Sequence, residues 1–284
     1  MPRVCVGDVT LHAAVAGAGA PLILLHGFTG SGAQWSTLVE AFPDRFRTIA
    51  VDLLGHGRSD VPADPERYRM ERCVMDLALL LDALGVRRAC WLGYSMGARV
   101  ALAFALTHPE RVSALVLEGV SPGIEDPTQR RDRILHDETL ADRIERDGIE
   151  PFVDAWMQQP LFASQVRLGP AALAAARAAR CANSPVGLAN SLRGMGTGAQ
   201  EPLWARLSTV TVPALLVVGE EDVKFRALAD AMSVRMPAVE VAVIPEAGHA
   251  AHLENPAAFN ACVRRFLTKE SRGKAGDEPR ASVA

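Results

Sequence analysis

The chain contains very little lysine. Of its 30 basic residues, three are lysine (Lys224, Lys269 and Lys274) and the other 27 are arginine. The simplest interpretation is a GC-rich genome, which also explains the abundant alanine. A second interpretation is functional, because a planar guanidinium binds a carboxylate through two parallel hydrogen bonds and an ammonium cannot. Composition alone favours the first interpretation.

The sequence also lacks the features of several protein classes. No run approaches the ~20 apolar residues of a membrane span, and the start, MPRVCVGDVT, has no signal-peptide pattern. The net charge of −3 excludes a basic surface spread over the whole protein, so no nucleic-acid partner is expected. The five cysteines are scattered without CxxC spacing, which is typical of reduced thiols in a cytoplasmic protein. We therefore expect a cytoplasmic protein with no metal and no cofactor.

Short apolar runs alternate with helical patterns along most of the chain. Residues 3–15 predict two short strands joined at Gly7-Asp8. Further strands are predicted at 21–27, 48–53, 90–95, 114–120, 213–222 and 240–248, and helices at 33–42, 70–84, 96–107, 225–235 and 256–268. Strands that are apolar on both faces are typical of a parallel sheet covered by helices. The sequence therefore predicts an α/β fold with a mostly parallel central sheet flanked by helices.

The segment 121–205 breaks this alternation. It contains no convincing strand, is rich in Arg, Asp and Ala, and is interrupted by seven prolines. We interpret it as a helical cap inserted after the sixth strand, which leaves 1–120 and 206–268 as the core. The remaining residues, 269–284, are polar, small and nearly balanced in charge, and they predict a disordered tail.

A Gly-x-Ser-x-Gly pattern occupies residues 93–97, where a predicted strand leads into a predicted helix. In a nucleophile elbow the serine lies on a strained turn, and small residues on either side let the strand and the helix approach each other. The bare pattern is common in proteins. Its position at a strand-to-helix junction makes Ser95 the candidate catalytic serine.

Two further residues complete a candidate triad. A serine hydroxyl becomes an effective base or nucleophile only when a histidine takes its proton. His249 lies in the loop after the last predicted strand, and Asp222 directly follows the strand before it. The order Ser95, Asp222, His249 is that of the α/β-hydrolase fold, so we predict this triad. The weaker alternatives near strand ends are Glu118, Glu220 and Glu221 for the acid, while His252 and His56 are interpreted as packing or structural residues.

The loop His26-Gly27-Phe28 ends the first long predicted strand. In this fold a backbone N–H from that loop and the N–H after the nucleophile form an oxyanion hole. We therefore predict that the amides of Phe28 and Met96 form this hole. The side chain of Phe28 either lines the pocket or packs in the core.

The string SLRGMGTG at residues 191–198 resembles a phosphate-binding loop only superficially. No predicted strand precedes it and no Gly-Lys-Ser/Thr follows it. We interpret these glycines as a flexible turn between cap helices.

Other segments are more specific than the triad. The chain contains GYSMGARVAL, EGVSPGIEDPTQRRDR, DAWMQQPLF, CANSPVGLANSLRGMGTGAQ, GEEDVKFRALA and AGHAAHLENP. Together these segments resemble the 2-succinyl-6-hydroxy-2,4-cyclohexadiene-1-carboxylate synthases of menaquinone biosynthesis. The resemblance runs from about Pro21 to Phe266, and the cap segments make it specific.

The resemblance implies a lyase rather than a hydrolase. The family's substrate is 2-succinyl-5-enolpyruvyl-6-hydroxy-3-cyclohexene-1-carboxylate, a small polycarboxylate from which pyruvate is eliminated after proton abstraction. The resemblance assigns Ser95, activated by His249 and Asp222, as the base. It implies that the oxyanion hole stabilises the developing negative charge and that no acyl-enzyme forms.

The resemblance also gives particular arginines a meaning. Arg99 lies one helical turn beyond Ser95 and is similar to a family arginine that binds a substrate carboxylate. Arg133 and Arg180 resemble a second and a third such arginine, and Tyr94 and Trp156 are similar to residues that contact substrate. For cap arginines in general the alternative is a solvated helix face. The sequence does not choose between these cap positions and three others, namely Arg130, Arg131 and Arg193.

Two rival functions stay open at this stage. One is a serine hydrolase, either an esterase or a carbon–carbon-bond hydrolase, that acts on a small carboxylated substrate through Ser95 as nucleophile. The other is a non-catalytic binding protein, against which the complete triad argues. The sequence gives no indication of oligomeric state.

Overall fold

A computed structural model describes residues 3–42 and 44–275. One sheet of eight strands has the order β1-β2-β4-β3-β5-β6-β7-β8. The strands β3 to β8 run parallel to one another, and β2 joins β1 and β4 in antiparallel pairs. The strands are β1 (Arg3–Val6), β2 (Val9–Ala16), β3 (Ala20–Leu25), β4 (Phe46–Asp52), β5 (Ala89–Tyr94), β6 (Val112–Glu118), β7 (Ala214–Gly219) and β8 (Val239–Ile244).

Helices cover both faces of the sheet. The helices of the core are α1 (Ser36–Ala41), α2 (Met70–Ala83), α3 (Met96–Thr107), α8 (Val223–Ser233), α9 (Ala251–Glu254) and α10 (Pro256–Ala275). Four more helices lie between β6 and β7, namely α4 (Pro127–Asp147), α5 (Ile149–Met157), α6 (Gly169–Cys181) and α7 (Pro185–Met195). In the described part of the chain, no helix is both long enough and apolar enough to cross a membrane.

The central strands are buried on both faces because the sheet separates two hydrophobic clusters. On β5, Trp91 belongs to the cluster under α2 and α3, where its ring stacks on Phe104 at a centroid distance of 4.1 Å. The next residue, Leu92, points to the opposite face and joins the cluster that contains Phe259 of α10. This two-sided burial explains the continuous apolar runs in the sequence. The predicted mostly parallel, helix-covered sheet is therefore confirmed.

The four helices between β6 and β7 form a small cluster of their own. The helix α4 begins at Pro127, and the side chain of Asp126 before it accepts hydrogen bonds from the amides of Thr128 (3.0 Å) and Gln129 (2.8 Å). The buried members of the cluster are Ala141, Ile144, Phe152, Val153, Leu188, Ala189 and Leu192. A helical insertion after the sixth strand is therefore confirmed, while the limits 121 and 205 stay a prediction.

The helix α10 extends over the first seven residues of the segment 269–284, for which a disordered tail is expected. Lys, Glu, Arg and Ala are good helix formers, and one glycine costs only about 1 kcal/mol. The disordered tail stays a prediction. Residues 276–284 lie outside the described residues.

The glycine string 191–198 is also different from the expected flexible turn. Gly194 lies inside α7, where its Cα faces the backbone of Tyr68. Gly196 and Gly198, just beyond the helix, lie against Asp137 and the backbone of α4 near Ile134. These glycines therefore let α7 approach its neighbours closely.

We predict that Phe104→Ala lowers the free energy of unfolding by about 3–5 kcal/mol, because it leaves a cavity beside the buried Trp91 ring. Urea denaturation measures the loss. Met75→Ala, at a position of α2 that is 52% exposed, is the control and is expected to change stability by less than about 0.5 kcal/mol. Equal effects of the two substitutions would contradict the assignment of the core.

Candidate active site

The turn between β5 and α3 holds Ser95 in a strained conformation. Its backbone has φ 51° and ψ −107°, in the region that side chains with a Cβ rarely adopt. The geometry is forced by close approach, because a Cβ at Gly97 would collide with the carbonyl oxygens of Leu25 and His26 at the end of β3. A Cβ at Gly93 would collide with the carbonyl of Gly97. The two glycines thus bring strand and helix together and point Ser95 out of the turn.

The structure brings the three predicted triad side chains into contact. The Nε2 atom of His249 lies 3.2 Å from Ser95 Oγ, and its Nδ1 lies 2.7 Å from Asp222 Oδ2. Asp222 also caps α8, where its Oδ1 accepts a hydrogen bond from Phe225 N–H (3.2 Å). With Nδ1–H donating to the carboxylate, Nε2 is left to accept the serine proton.

The loop that carries His249 is fixed by Glu254, a residue that the sequence analysis did not single out. Its buried carboxylate accepts hydrogen bonds from the amides of Gly248 (2.9 Å) and Ala250 (3.2 Å), the two neighbours of the histidine. Arg167, between α5 and α6, lies 3.7 Å from the same carboxylate and 2.9 Å from Glu221. The position of the histidine is therefore tied to the helical insertion as well as to the core.

The alternative acids are occupied elsewhere. Glu118 is buried, and its carboxylate lies 2.9 Å from Nδ1 of His252, so these two side chains form a separate pair. Glu220 accepts a hydrogen bond from the backbone of Glu246 (3.1 Å), and Glu221 pairs with Arg167 at the surface. Asp222 is thus the carboxylate that His249 uses.

The candidate oxyanion hole lies beside the serine. Met96 is the first residue of α3, where an amide has no acceptor within its own helix. The amide of Phe28 makes no hydrogen bond within the described residues. The loop before it is fixed by His26, whose Nδ1–H donates to the Gly27 carbonyl (2.8 Å) while Nε2 accepts from Leu53 N–H (3.0 Å). Both predicted donors therefore keep a free N–H near Ser95.

His56 is buried next to this loop and takes no part in the triad. Its Nδ1 lies 3.1 Å from the carbonyl of Leu54, and its ring lies 5.0 Å from that of His26. Burial, with a smaller effect of the neighbouring His26, lowers the pKa of His56 to about 3. The imidazole is therefore neutral at physiological pH, which agrees with the structural role expected for it.

A cavity of about 910 Å³ opens above Ser95 and His249, between the core and the inserted helices. Its walls include the Phe28, Tyr94 and Trp156 rings, and Phe28 meets Trp156 edge to face at 5.2 Å. No cluster of three or more His, Cys, Asp or Glu side chains suited to a metal ion occurs in residues 3–42 and 44–275. Phe28 thus lines the pocket and also packs against the hydrophobic clusters of the core and of the inserted helices, so both alternatives left open for it apply.

Two guanidinium groups share this cavity with the triad. Arg99 is 8% exposed and donates from Nη1 to Gln200 Oε1 and from Nη2 to the Met195 carbonyl, both at 2.8 Å. Burial, with a smaller effect of the positive charge on Arg133, lowers the pKa of Arg99 to about 10, so the group stays charged at neutral pH. Arg133 donates to Asp137 Oδ1 (2.8 Å). Two like charges are thus held near one another around one empty volume, an arrangement that suits an anionic ligand.

The other arginines lie elsewhere. Arg180 is outside the cavity lining because its Nη1 donates back to the Ala176 carbonyl of its own helix (3.1 Å). Its Nε is buried and has no hydrogen-bond partner in the described part of the chain. The other three candidate arginines bind neighbouring groups. Arg130 binds Gly198 and Glu201, and Arg131 binds Thr128. Arg193 forms ion pairs with Glu138, Asp142 and Glu145. Of these candidate arginines, Arg99 and Arg133 are the two that line the cavity, while the charge of Arg180 acts on Tyr94 of the lining from outside it.

Lys224 lines the same cavity and was also missed from the sequence. Its Nζ lies 5.5 Å from the centre of the Phe225 ring, and that ring lies 4.4 Å from the imidazole of His249. The sequence feature that could have identified Lys224 is its position two residues after Asp222, in a chain with only three lysines.

The parallel sheet and the triad indicate the class to which the protein belongs, and the comparison with known sequences identifies that class. A family model of the alpha/beta hydrolase fold matches residues 20–256, so the chain belongs to the α/β-hydrolase family. Within this family the similarity is more specific. The chain is 47% identical, over 87% of its own length and 90% of the relative's, to a Bacillus subtilis (strain 168) protein named "Putative 2-succinyl-6-hydroxy-2,4-cyclohexadiene-1-carboxylate synthase".

Two further similar proteins, one a sequence relative and one a solved structure, support the same family assignment. The 2-succinyl-6-hydroxy-2,4-cyclohexadiene-1-carboxylate synthase of Pectobacterium atrosepticum is 36% identical over 90% of this chain and 97% of its own. The solved structure of MenH from S. aureus superposes with a TM-score of 0.87 at 33% identity, covering 92% of this chain and 98% of that one. The resemblance to this synthase family that the sequence segments indicate is therefore confirmed.

We predict that Glu254→Ala lowers the rate constant for labelling of Ser95 by a fluorophosphonate about 100-fold, because the two amides beside His249 lose their common acceptor. Labelling reactions quenched at a series of times and analysed by mass spectrometry give the rate constant, and circular dichroism checks the fold. Glu220→Gln is the control, since Glu220 also accepts from a backbone amide but away from the triad. A similar loss in both variants, or no loss in Glu254→Ala, would contradict the positioning role.

The low pKa of His56 predicts a pH dependence of stability. The unfolded chain, with an ordinary histidine pKa of 6.5, binds more protons than the folded chain between pH 6.5 and about pH 3, so stability falls as the pH drops through this range. Between pH 7 and 4.5 the wild type should lose on the order of 2 kcal/mol more than His56→Asn, which keeps a donor toward Leu54. Urea denaturation at the two pH values measures this, and equal losses would show that the buried imidazole is not the cause.

Proposed function

We propose that this chain is a carbon–oxygen lyase that removes pyruvate from 2-succinyl-5-enolpyruvyl-6-hydroxy-3-cyclohexene-1-carboxylate and forms 2-succinyl-6-hydroxy-2,4-cyclohexadiene-1-carboxylate, a step of menaquinone biosynthesis. The observation that carries the proposal is the placement of Arg99 and Arg133 around the cavity that holds Ser95 and His249. The named relatives support the same reaction.

The reaction needs a base, and the hydrogen-bonded pair of Ser95 and His249 supplies one. The serine oxygen takes a proton from the ring carbon while its own proton passes to His249, and Asp222 stabilises the imidazolium that results. The electrons of the broken C–H bond at C2 form a C2=C3 double bond, the C3=C4 pair moves to C4=C5, and the C5–O bond to the enolpyruvyl group breaks. The leaving oxygen takes up the proton that His249 holds. The three-carbon fragment leaves as the enol of pyruvate, and no water is consumed.

The remaining site residues have roles that follow from their places. The amides of Phe28 and Met96 stabilise the charge that develops on a substrate oxygen during proton removal. Arg99 and Arg133 bind carboxylates of the fragment that stays, while Tyr94 and Trp156 contact its apolar parts. A binding role for Arg180 requires its guanidinium to move away from Ala176. We also propose that the substrate is a polycarboxylate, that nucleic acid is not a partner, and that the protein acts in the cytoplasm.

A serine hydrolase that acts on a small carboxylated substrate is the second candidate. The contact between Ser95 and His249 and the two free amides beside it serve acyl transfer equally well. The two charged guanidinium groups suit a carboxylated substrate in either reaction, and the similarity to the named synthases favours the lyase. Loss of activity in Ser95→Ala is expected for both functions and does not distinguish them.

The test is pyruvate release from the enolpyruvyl substrate, followed with lactate dehydrogenase. We expect release well above the spontaneous rate, and a rise in KM of about 10-fold or more for Arg133→Gln, because one charge-assisted hydrogen-bond donor to a carboxylate is lost. Arg193→Gln, whose charge is bound to three surface acids, is the matched control and is expected to behave as wild type. Release at the background rate by the wild type would overturn the proposed function.

A further inference from the structure

The ammonium group of Lys224 lies across the active site from the two arginines. Arg99 is on α3, which follows β5, and Lys224 is on α8, which follows β7. The strand β6 lies between β5 and β7, and His249 contacts Ser95 on one side and Phe225 on the other. The cavity therefore has positive charge on both sides of the catalytic pair.

The position of this lysine is unfavourable for the helix that carries it. Lys224 is the second residue of α8, and no acidic residue lies in the first turn. The N-terminal end of a helix carries partial positive charge, so a cation there is repelled. Within the described residues, no carboxylate lies within 4.0 Å of its Nζ to offset this repulsion. Within the described residues, Lys224 thus forms no ion pair, and its recorded charge interaction is with the Phe225 ring.

Most of the acids that line the cavity are engaged with other groups. Asp222 binds His249, Asp137 binds Arg133, and Asp126 caps α4. Lys224 is exposed at the mouth of the cavity, and its nearest recorded contact is the face of Phe225. An unpaired cation at the mouth of a cavity leaves a place for an anionic group of a ligand.

We propose that Lys224 binds the carboxylate of the three-carbon fragment that leaves during the reaction. This inference rests on the proposed function. The fragment that stays carries two carboxylates and faces two guanidinium groups, whereas the fragment that leaves carries one carboxylate and faces one ammonium. In the elimination Lys224 keeps all its protons and contributes only its charge, which holds the departing acid and orients the C–O bond that breaks.

The two kinds of cation suit the two fragments, because the ring fragment stays bound during the reaction and the three-carbon acid leaves. A guanidinium holds a carboxylate through two parallel hydrogen bonds, whereas an ammonium is a hydrated point charge that holds it less rigidly. Lys224 is at the exposed mouth and the buried Arg99 is deeper in the cavity. The three-carbon acid is therefore bound where it can leave first.

The experiment compares Lys224→Gln and Lys224→Arg with the wild type in two measurements. The first is the concentration of pyruvate that protects Ser95 from a fluorophosphonate, which needs no turnover. The second is kcat and KM for the enolpyruvyl substrate together with product inhibition by pyruvate. Lys269→Gln is the control, because Lys269 is also on the surface but pairs with Glu240 away from the cavity.

We expect Lys224→Gln to raise both the protecting concentration and the inhibition constant of pyruvate about 10-fold, with a similar fall in kcat/KM. Lys224→Arg should restore most of the loss, since it keeps the charge. A wild type that turns over the substrate while Lys224→Gln binds pyruvate equally well would overturn this inference and leave the proposed function intact. A wild type that releases no pyruvate would overturn the proposed function, and this inference with it.

Discussion

The site depends on the contact between the first turn of α3 and the end of β3. Gly97 brings the helix so close to the carbonyls of Leu25 and His26 that a methyl group has no room. This contact holds Ser95 at a positive φ and sets the free amide of Met96 beside the loop that contains Phe28. One turn further along the same helix, Arg99 reaches the cavity. A single close approach thus positions the serine oxygen, the amide of Met96 and the first cation of the cavity.

The charge of the site is local and is not visible in the net charge. The chain carries −3 overall, and three cations line one cavity of about 910 Å³ together with four carboxylates, two of which pair with Arg133 and His249. Arg99 is the most buried of them, and its guanidinium remains protonated because a pKa of about 10 still lies well above neutral pH. A lysine buried to the same extent loses its charge more readily. Most of the 27 arginines thus have no assigned role, and Arg99 and Arg133 are the two to which we assign the binding of substrate carboxylates.

The sequence was most informative where a local pattern is compatible with only one structure. The strand runs, the Gly-x-Ser-x-Gly turn and the chain order of Ser95, Asp222 and His249 were sufficient for the fold and for the contacts of the triad. The sequence did not separate the cap arginines, because the choice between solvent and cavity depends on helix packing, which turns Arg193 toward three acids and Arg133 toward the site. Glu254 and Lys224 were missed for a related reason, since a loop and a helix end bring them to the triad.

The central claim is that Ser95 and His249 remove a proton and that water does not enter the products. The most direct test is the reaction of the wild-type protein with the enolpyruvyl substrate in H₂¹⁸O, followed by mass spectrometry of the ring product. The account predicts a ring product that has lost the elements of pyruvate, gained a double bond and taken up no ¹⁸O. A ring product that keeps the ether oxygen as a hydroxyl group without a new double bond, or that carries ¹⁸O in a carboxylate, would show that water cleaves the substrate and would contradict the account.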